Sequence, residues 1–337
     1  MLQKLSTFDL INSTYIAQSI YTLIKIDIFD KLIAGKSSSQ NLANSCSINA
    51  AKLQILLDLA VSMDFLGQKD NCYFLRKKGM NLTRAVNSWE RDYFTIWAEG
   101  LQSAAAQTPA WLTQDMNAYE AANGATIWEH YRTNRALGKS FEKFQDRISH
   151  LAHLPELTKI IQLHAGERFL DIAGGKGALA FQLAIQNPQA VGAVLDQPHM
   201  EPIFQEHALE VAEQAGGTQV TFIVGNMLKH IPTGFNTYLI KHALHDWDDE
   251  SVCTVLMNIA QAMDSSSRLL IIEGVKQPQH KDNVLMQARA YEQAIWTSGK
   301  LRTLSDFENL LQRSGLKIRD MQETNVFDLS ILECIKQ

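Results

Sequence analysis

The chain has 337 residues, of which 46% are hydrophobic and 20% charged, with a net charge of -5. Such values describe an ordinary globular chain long enough for two domains, and they exclude a global field that would draw it to phosphate backbones or anionic membranes. The four cysteines, Cys46, Cys72, Cys253 and Cys334, lie far apart with no C-x-x-C pair, which excludes a disulfide framework and points to a reducing compartment, the cytoplasm.

The first twenty residues, MLQKLSTFDLINSTYIAQSI, break their apolar pattern with Asp9, Asn12, Ser13 and Gln18, so they suit neither a signal segment nor a membrane span. Ile16, Ile20, Leu23 and Ile24 then recur at helical spacing until GKSSSQ. SQNLANSC and NAAKLQILLDLAVSM predict two short helices, and DFLGQKDNCYFLRKKG predicts a hairpin turning at QKDN. Helix, turn, helix, hairpin is the order of a winged helix and raises the question of DNA binding. The second helix, residues 49–63, carries Lys52 as its one base against Asp58, while Leu53, Leu56, Leu57 and Ala60 form an apolar stripe. Phosphate binding needs several cations, so this helix suits packing or dimerisation and no nucleic-acid partner is expected.

Residues 85–155 read as helical and rich in aromatic rings, among them Trp128 and Phe141. These rings serve a core or interface, or they wall a pocket for a flat substrate. From about Glu167 short apolar runs, RFLDIAG, AVGAVLD, VTFIVG, TYLIKH and RLLIIEGV, alternate with amphipathic helices. That alternation predicts a parallel sheet covered on both faces. LSDFENLLQRSG, LKIRDM and VFDLSILECI add a helix and a final hairpin. The expected organisation is a helical and winged-helix domain over residues 1–155 and a doubly wound α/β domain over residues 156–337.

In open α/β sheets ligands bind beyond the carboxyl ends of the strands. The first such end, DIAGGKGALA, has glycines at 174, 175 and 177 on a turn that opens a helix, where free N–H groups suit an anionic group. Gly175, Gly177 and Ala180 also satisfy the dinucleotide fingerprint G-x-G-x-x-A, and Asp196 follows at the next strand end, where an acid accepts hydrogen bonds from ribose hydroxyls. A ribose-bearing cofactor is expected, its identity open at this point. The third strand ends in VGNML, with Asn226 and Met227 where an adenine could be met. The fourth runs into YLIKHALHDWDDE. Asp246 or Asp248 is expected to cap the next helix, and extended backbone would turn His242 and His245 to opposite faces. His245 is the candidate proton acceptor. Glu273, ending the fifth strand, would lie beside it and fix its tautomer. No H-x-x-x-H or paired-carboxylate pattern asks for a metal ion.

The ordered set FLDIAGGKGALA, VLDQPHMEP, VGNMLKHIP, YLIKHALHDWDDE, LLIIEGV and SGKLRTLSDFENLLQRSGL resembles the S-adenosylmethionine-dependent small-molecule O-methyltransferases of the caffeic-acid and hydroxyindole type. The resemblance implies a Rossmann-like class I methyltransferase domain joined to an N-terminal domain that makes a homodimer and contributes to the substrate pocket. It implies that Asp171, Gly174, Gly175, Gly177, Asp196, Gln197, Asn226, Met227 and Lys241 hold S-adenosylmethionine. His245 and Glu273 would be the general base and its orienting acid, and Trp128, Phe141, Tyr291 and Trp296 would meet a small aromatic hydroxyl acceptor. The chain departs from the family pattern at Asn226, at Leu301, which stands where a second acid is usual, and in QARAYEQAIWTSG. These departures leave C- or N-methylation on the same fold as an alternative.

Overall fold

The computed structural model describes residues 6–114, 116–216, 219–277, 283–326 and 329–337. Phe327 and Asp328 of the last predicted strand, and Met1 to Leu5 of the N-terminal stretch, lie outside the described residues. The chain divides into two units, Met1–Ile148 and Ser149–Gln337.

In the first unit the helix Thr7–Lys25 starts at a capping box in which Ser6 accepts from the Asp9 N–H and Asp9 accepts in return. The helices Ser39–Cys46 and Ala50–Ser62 are capped by Ser38 and Asn49. A three-stranded sheet follows, β1 (Ser37–Ser38), β2 (Leu66–Lys69) and β3 (Cys72–Leu75), with β3 in the middle and both pairings antiparallel. Leu53, Leu57 and Ala60 of the predicted stripe are buried in one core with Leu23, Ile28 and Phe29. That stripe is spent on packing, as its composition required. Arg91 is also inside: its guanidinium reaches Asp30 at 2.7 Å, Asp27 at 2.9 Å and the Leu82 carbonyl at 2.8 Å. The aromatic rings form local groups, with Trp128 edge-on to Phe141 at 5.8 Å and Tyr131 stacked on Phe141 at 4.7 Å.

The second unit is built on β4 (Arg168–Ile172), β5 (Val191–Asp196), β6 (Val220–Val224), β7 (Thr237–Lys241), β8 (Arg268–Lys276), β9 (Arg302–Thr303), β10 (Leu316–Glu323) and β11 (Leu329–Lys336). The main sheet runs β10-β11-β8-β7-β4-β5-β6, and β9 pairs with β8. Strands β4 to β8 are mutually parallel, while β10 and β11 form the antiparallel edge. Central strands covered on both faces must be apolar throughout, and Leu170, Ile240 and Ile271 pack into one core while Phe169, Leu239 and Ile272 pack into the other. The strand order reverses between β4 and β7, so the turn after β4 and the turn after β7 open side by side.

The boundary falls earlier than the sequence reading put it. Ser149–His153 is a π-helical turn followed by the helix Leu154–Ile160, and both pack on the second unit. The His153 ring stacks on His242, and Leu154 and Leu157 share a core with Leu179 and Leu183. A continuous helical pattern in the sequence hid this change of partner. Among the described residues no helix is long and apolar enough to cross a membrane.

Removing the Arg91 guanidinium takes a buried donor from the Leu82 carbonyl and leaves Asp27 and Asp30 paired with Arg84 alone. Arg91→Ala is expected to lower stability by about 1 to 2 kcal/mol in denaturant unfolding, and a loss under about 0.5 kcal/mol would show that Arg84 and water replace the guanidinium.

Candidate active site

The turn after β4 is shaped by its glycines. Gly175 and Gly177 have φ of +61° and +82°, and a Cβ on Gly174 would stand 2.6 Å from the Asp171 carboxyl carbon. Gly177 opens the helix Ala178–Gln186 with no side-chain cap of its own, and the Asp171 carboxylate accepts from the Ala180 N–H of the first turn. Asp196, ending β5, accepts from the Gly175 N–H at 2.8 Å and from the Gln197 N–H at 2.6 Å. Its carboxylate is thus fixed beside the glycine turn, and burial raises its proton affinity. Beneath the turn Asp171 is buried, and that burial pushes its carboxyl up to about 7 against the pull of the Lys241 ammonium. Lys241, at the end of β7, is lowered by burial and supported by Asp171 and Glu273.

Asn226 forms a turn of its own, accepting from the Leu228 N–H at 2.9 Å, and Met227 packs partly into the core.

After β7 the backbone does not stay extended. His242 has φ of +49°, and Leu244–Asp246 is a single 3-10 turn. The expectation that His242 and His245 face opposite sides is therefore corrected: their rings meet edge to face at 5.5 Å. Glu273 organises this turn. Its Oε1 accepts from the N–H groups of Ala243 at 3.0 Å, Leu244 at 2.8 Å and His245 at 3.4 Å, and its Oε2 lies 2.6 Å from His245 Nδ1. Burial alone would raise the Glu273 carboxyl, but the imidazole and the N–H donors outweigh it and hold it below its ordinary value. For His245, burial favours the neutral ring, whereas the Glu273 and Asp246 charges raise it to about 9. Asp248, rather than Asp246, caps the helix Asp249–Ala262 by accepting from the Ser251 N–H. Asp246 instead stands 3.6 Å from His245 Nε2.

Three residues without an assigned role in the sequence reading hold the turn from behind. Gln293 donates to the His245 carbonyl at 3.1 Å and to Asp246 at 2.9 Å. Arg302, fully buried, donates to the carbonyls of Leu244 at 2.8 Å and Trp247 at 2.7 Å and pairs with Asp249. Gly299 allows the segments to meet, since a Cβ there would fall 1.9 Å from the His245 oxygen. Within SGKLRT the glycine and arginine were visible as a motif, but their targets were 53 to 58 residues away in sequence. Leu301 lies between them, with its side chain beside Gly274.

Of the remaining candidates, Trp128 and Phe141 belong to the first unit, and Tyr291 and Trp296 sit on the helix Val284–Trp296 of the second. Tyr291 is 40% exposed and Trp128 44%, so each has surface for a ligand. His242, His245 and Glu273 bring potential metal-donor atoms within 4.8 Å of one another. The His245 and Glu273 atoms are already bonded to each other, which disfavours an ion there.

The chain matches the family model of the O-methyltransferase domain over residues 106–317. It is 25% identical over 319 residues to the mitomycin biosynthesis 6-O-methyltransferase of Streptomyces lavendulae, covering 92% of this chain and 88% of that protein. With the phenazine-1-carboxylate N-methyltransferase of Pseudomonas aeruginosa it shares 23% identity over 307 residues, 90% of this chain and 88% of that one. The solved structure of a mitomycin 7-O-methyltransferase superposes with a TM-score of 0.88 at 23% identity, over 98% of this chain and 96% of the other.

Gly299→Ala is expected to push the His245 turn out of position while the protein stays folded. Turnover should fall at least about tenfold with a far-ultraviolet spectrum like that of the wild type, and full turnover would mean that the turn does not depend on this approach.

Proposed function

The chain belongs to the O-methyltransferase family, enzymes that draw on S-adenosylmethionine, and we propose that it methylates the hydroxyl of a small aromatic acceptor with His245 as general base. The observation that carries this reading is the 2.6 Å contact between His245 and a buried Glu273 carboxylate at the carboxyl edge of the sheet. Gly174 packs directly on Asp171, and Gly175 and Gly177 take positive φ, so the three glycines shape a close turn at the strand end. The positive end of the following helix suits a ligand carboxylate. Asp196 and Gln197 stand where ribose hydroxyls would be held, and Asn226 and Met227 where an adenine would rest. Asp171 and Lys241 complete the floor. The bound cofactor supplies an electrophilic methyl group on a sulfonium.

The protein's own contribution is position and proton transfer. Holding the acceptor oxygen in line supplies up to about 7 to 11 kcal/mol in well-oriented systems. A base adds roughly 10² to 10⁴-fold. His245 takes the hydroxyl proton on Nε2, while Nδ1–H donates to Glu273, whose carboxylate stabilises the imidazolium that results. Trp128, Phe141, Tyr291 and Trp296 are the aromatic residues assigned to the acceptor. The apolar first unit is assigned to a homodimer, and the compartment to the cytoplasm.

A second reading has one observation in its favour: with its proton affinity near 9, His245 is an imidazolium at neutral pH. An acceptor nitrogen or carbon that is already nucleophilic needs no base, and the N-methyltransferase from Pseudomonas aeruginosa shows that such an acceptor occurs among relatives of this chain. Fragmentation of the methylated product by mass spectrometry separates the two.

For O-methylation, His245→Ala should lower turnover by at least about tenfold while S-adenosylmethionine affinity survives. Unchanged turnover would remove His245 from the chemistry. Asp196→Ala should weaken cofactor binding by calorimetry, and intact affinity would discard its ribose role. Because the base works only when neutral, kcat/KM should climb as pH rises through about 9. A profile flat from pH 6 to 10 would contradict the assignment.

A further inference from the structure

We propose that Arg289 and His242 form an anion subsite beside His245, so that the preferred acceptor is an aromatic carboxylate with the methylated hydroxyl on the neighbouring ring carbon. This rests on reading the site as a methyltransferase centre. Gln293 anchors one face of the helix Val284–Trp296 to the His245 turn through its bonds to the His245 carbonyl and Asp246. Arg289 stands four residues earlier, on the same face, and helical side chains lean toward the N-terminus. This puts Arg289 on the face of the helix that Gln293 ties to the His245 turn. The positive charge is felt at His153, His242 and His245 alike, each being drawn toward its neutral form by it.

His242 gives a second, independent indication. Its Nε2 is buried and has no hydrogen-bond partner, a costly condition that a ligand acceptor would relieve. The ring is held there by a left-handed backbone with φ of +49° and by stacking on His153 at 4.9 Å and 22°. Strain of that kind collects at ligand sites. Burial and the Lys241 charge keep this imidazole neutral, so Nε2–H can donate.

The two acids beside His245 have partners of their own. Glu273 serves His245 and three backbone N–H groups, and Asp246 accepts from Gln293. A guanidinium has five donors, enough to serve protein neighbours and still present a two-pronged face to a carboxylate. The chemistry of the acceptor fits this division. In an ortho-hydroxy acid the carboxylate holds the phenolic proton internally, and drawing that carboxylate toward Arg289 releases the hydroxyl to His245.

The test compares 1-hydroxy-2-naphthoate with 1-naphthol. Binding is measured by calorimetry on the full chain loaded with S-adenosylhomocysteine, and kcat and KM with S-adenosylmethionine. The wild type should bind the acid at least about tenfold more tightly than the naphthol, a difference of the size expected for one charge-assisted hydrogen bond. Arg289→Gln should collapse that preference through KM rather than kcat, Arg289→Lys should recover part of it, and His242→Phe, which keeps a stacking ring, should reduce it. Arg289 is exposed, and a melting temperature matching the wild type checks that the variants fold. Equal affinities in the wild type, no binding of either probe, or a preference that survives Arg289→Gln would overturn the subsite. A binding preference for the acid with no methyl transfer to either compound would instead overturn the methyltransferase reading.

Discussion

Glu273 is a carboxylate placed where a carboxylate should be costly, fully enclosed at the end of a central strand. What keeps it ionised is a complete set of partners, with three backbone N–H groups on one oxygen and the His245 ring on the other. The same bonds determine the shape of the turn after β7. Residues 243 to 245 present their N–H groups inward because an anion is there to receive them, and the imidazole is oriented by the oxygen that remains. Site geometry and site electrostatics therefore have one origin.

The rest of the second unit can be read as support for that contact. The parallel register sets Lys241 opposite Ile272, which brings Glu273 level with the first residues of the turn. Arg302, Gln293 and Gly299 close the far side, and the arginine alone donates to two carbonyls of this segment, those of Leu244 and Trp247. Ala173 and His242, the residues that follow β4 and β7, both adopt positive φ. Strained turns at both strand ends flanking the reversal of strand order are consistent with a ligand site there rather than a connection of convenience.

Much of this was legible in the sequence. Strand runs, the glycine turn and the adjacency of His245 and Glu273 followed from alternation and from the rule that ligands gather at the carboxyl ends of parallel strands. The apolar stripe of residues 49–63 was read as serving packing or dimerisation, and Leu53, Leu57 and Ala60 pack in the core. Other features were hidden for physical reasons. His242 reads as the continuation of a strand, and nothing local announces that a non-glycine residue will turn left-handed there. Arg302 looks like a surface charge until the fold closes over it, and Gly299 looks like a simple turn residue although its role is to let the His245 carbonyl approach. The change of partner at Ser149 was concealed because a helical pattern records that a face is apolar and does not record against what it packs. The glycine loop alone fits several ribose-bearing cofactors, and it acquired meaning through the ordered motifs that follow it.

The central claim is that Glu273 sets the state of His245. The direct measurement is a titration of the His245 ring by nuclear magnetic resonance in the wild type and in Glu273→Gln, a change that keeps the shape of the side chain and removes its charge. The account predicts a wild-type midpoint near 9, falling by more than a unit in the variant as burial is left opposed only by Asp246. A midpoint at the ordinary histidine value in the wild type, or the same midpoint in both proteins, would contradict it.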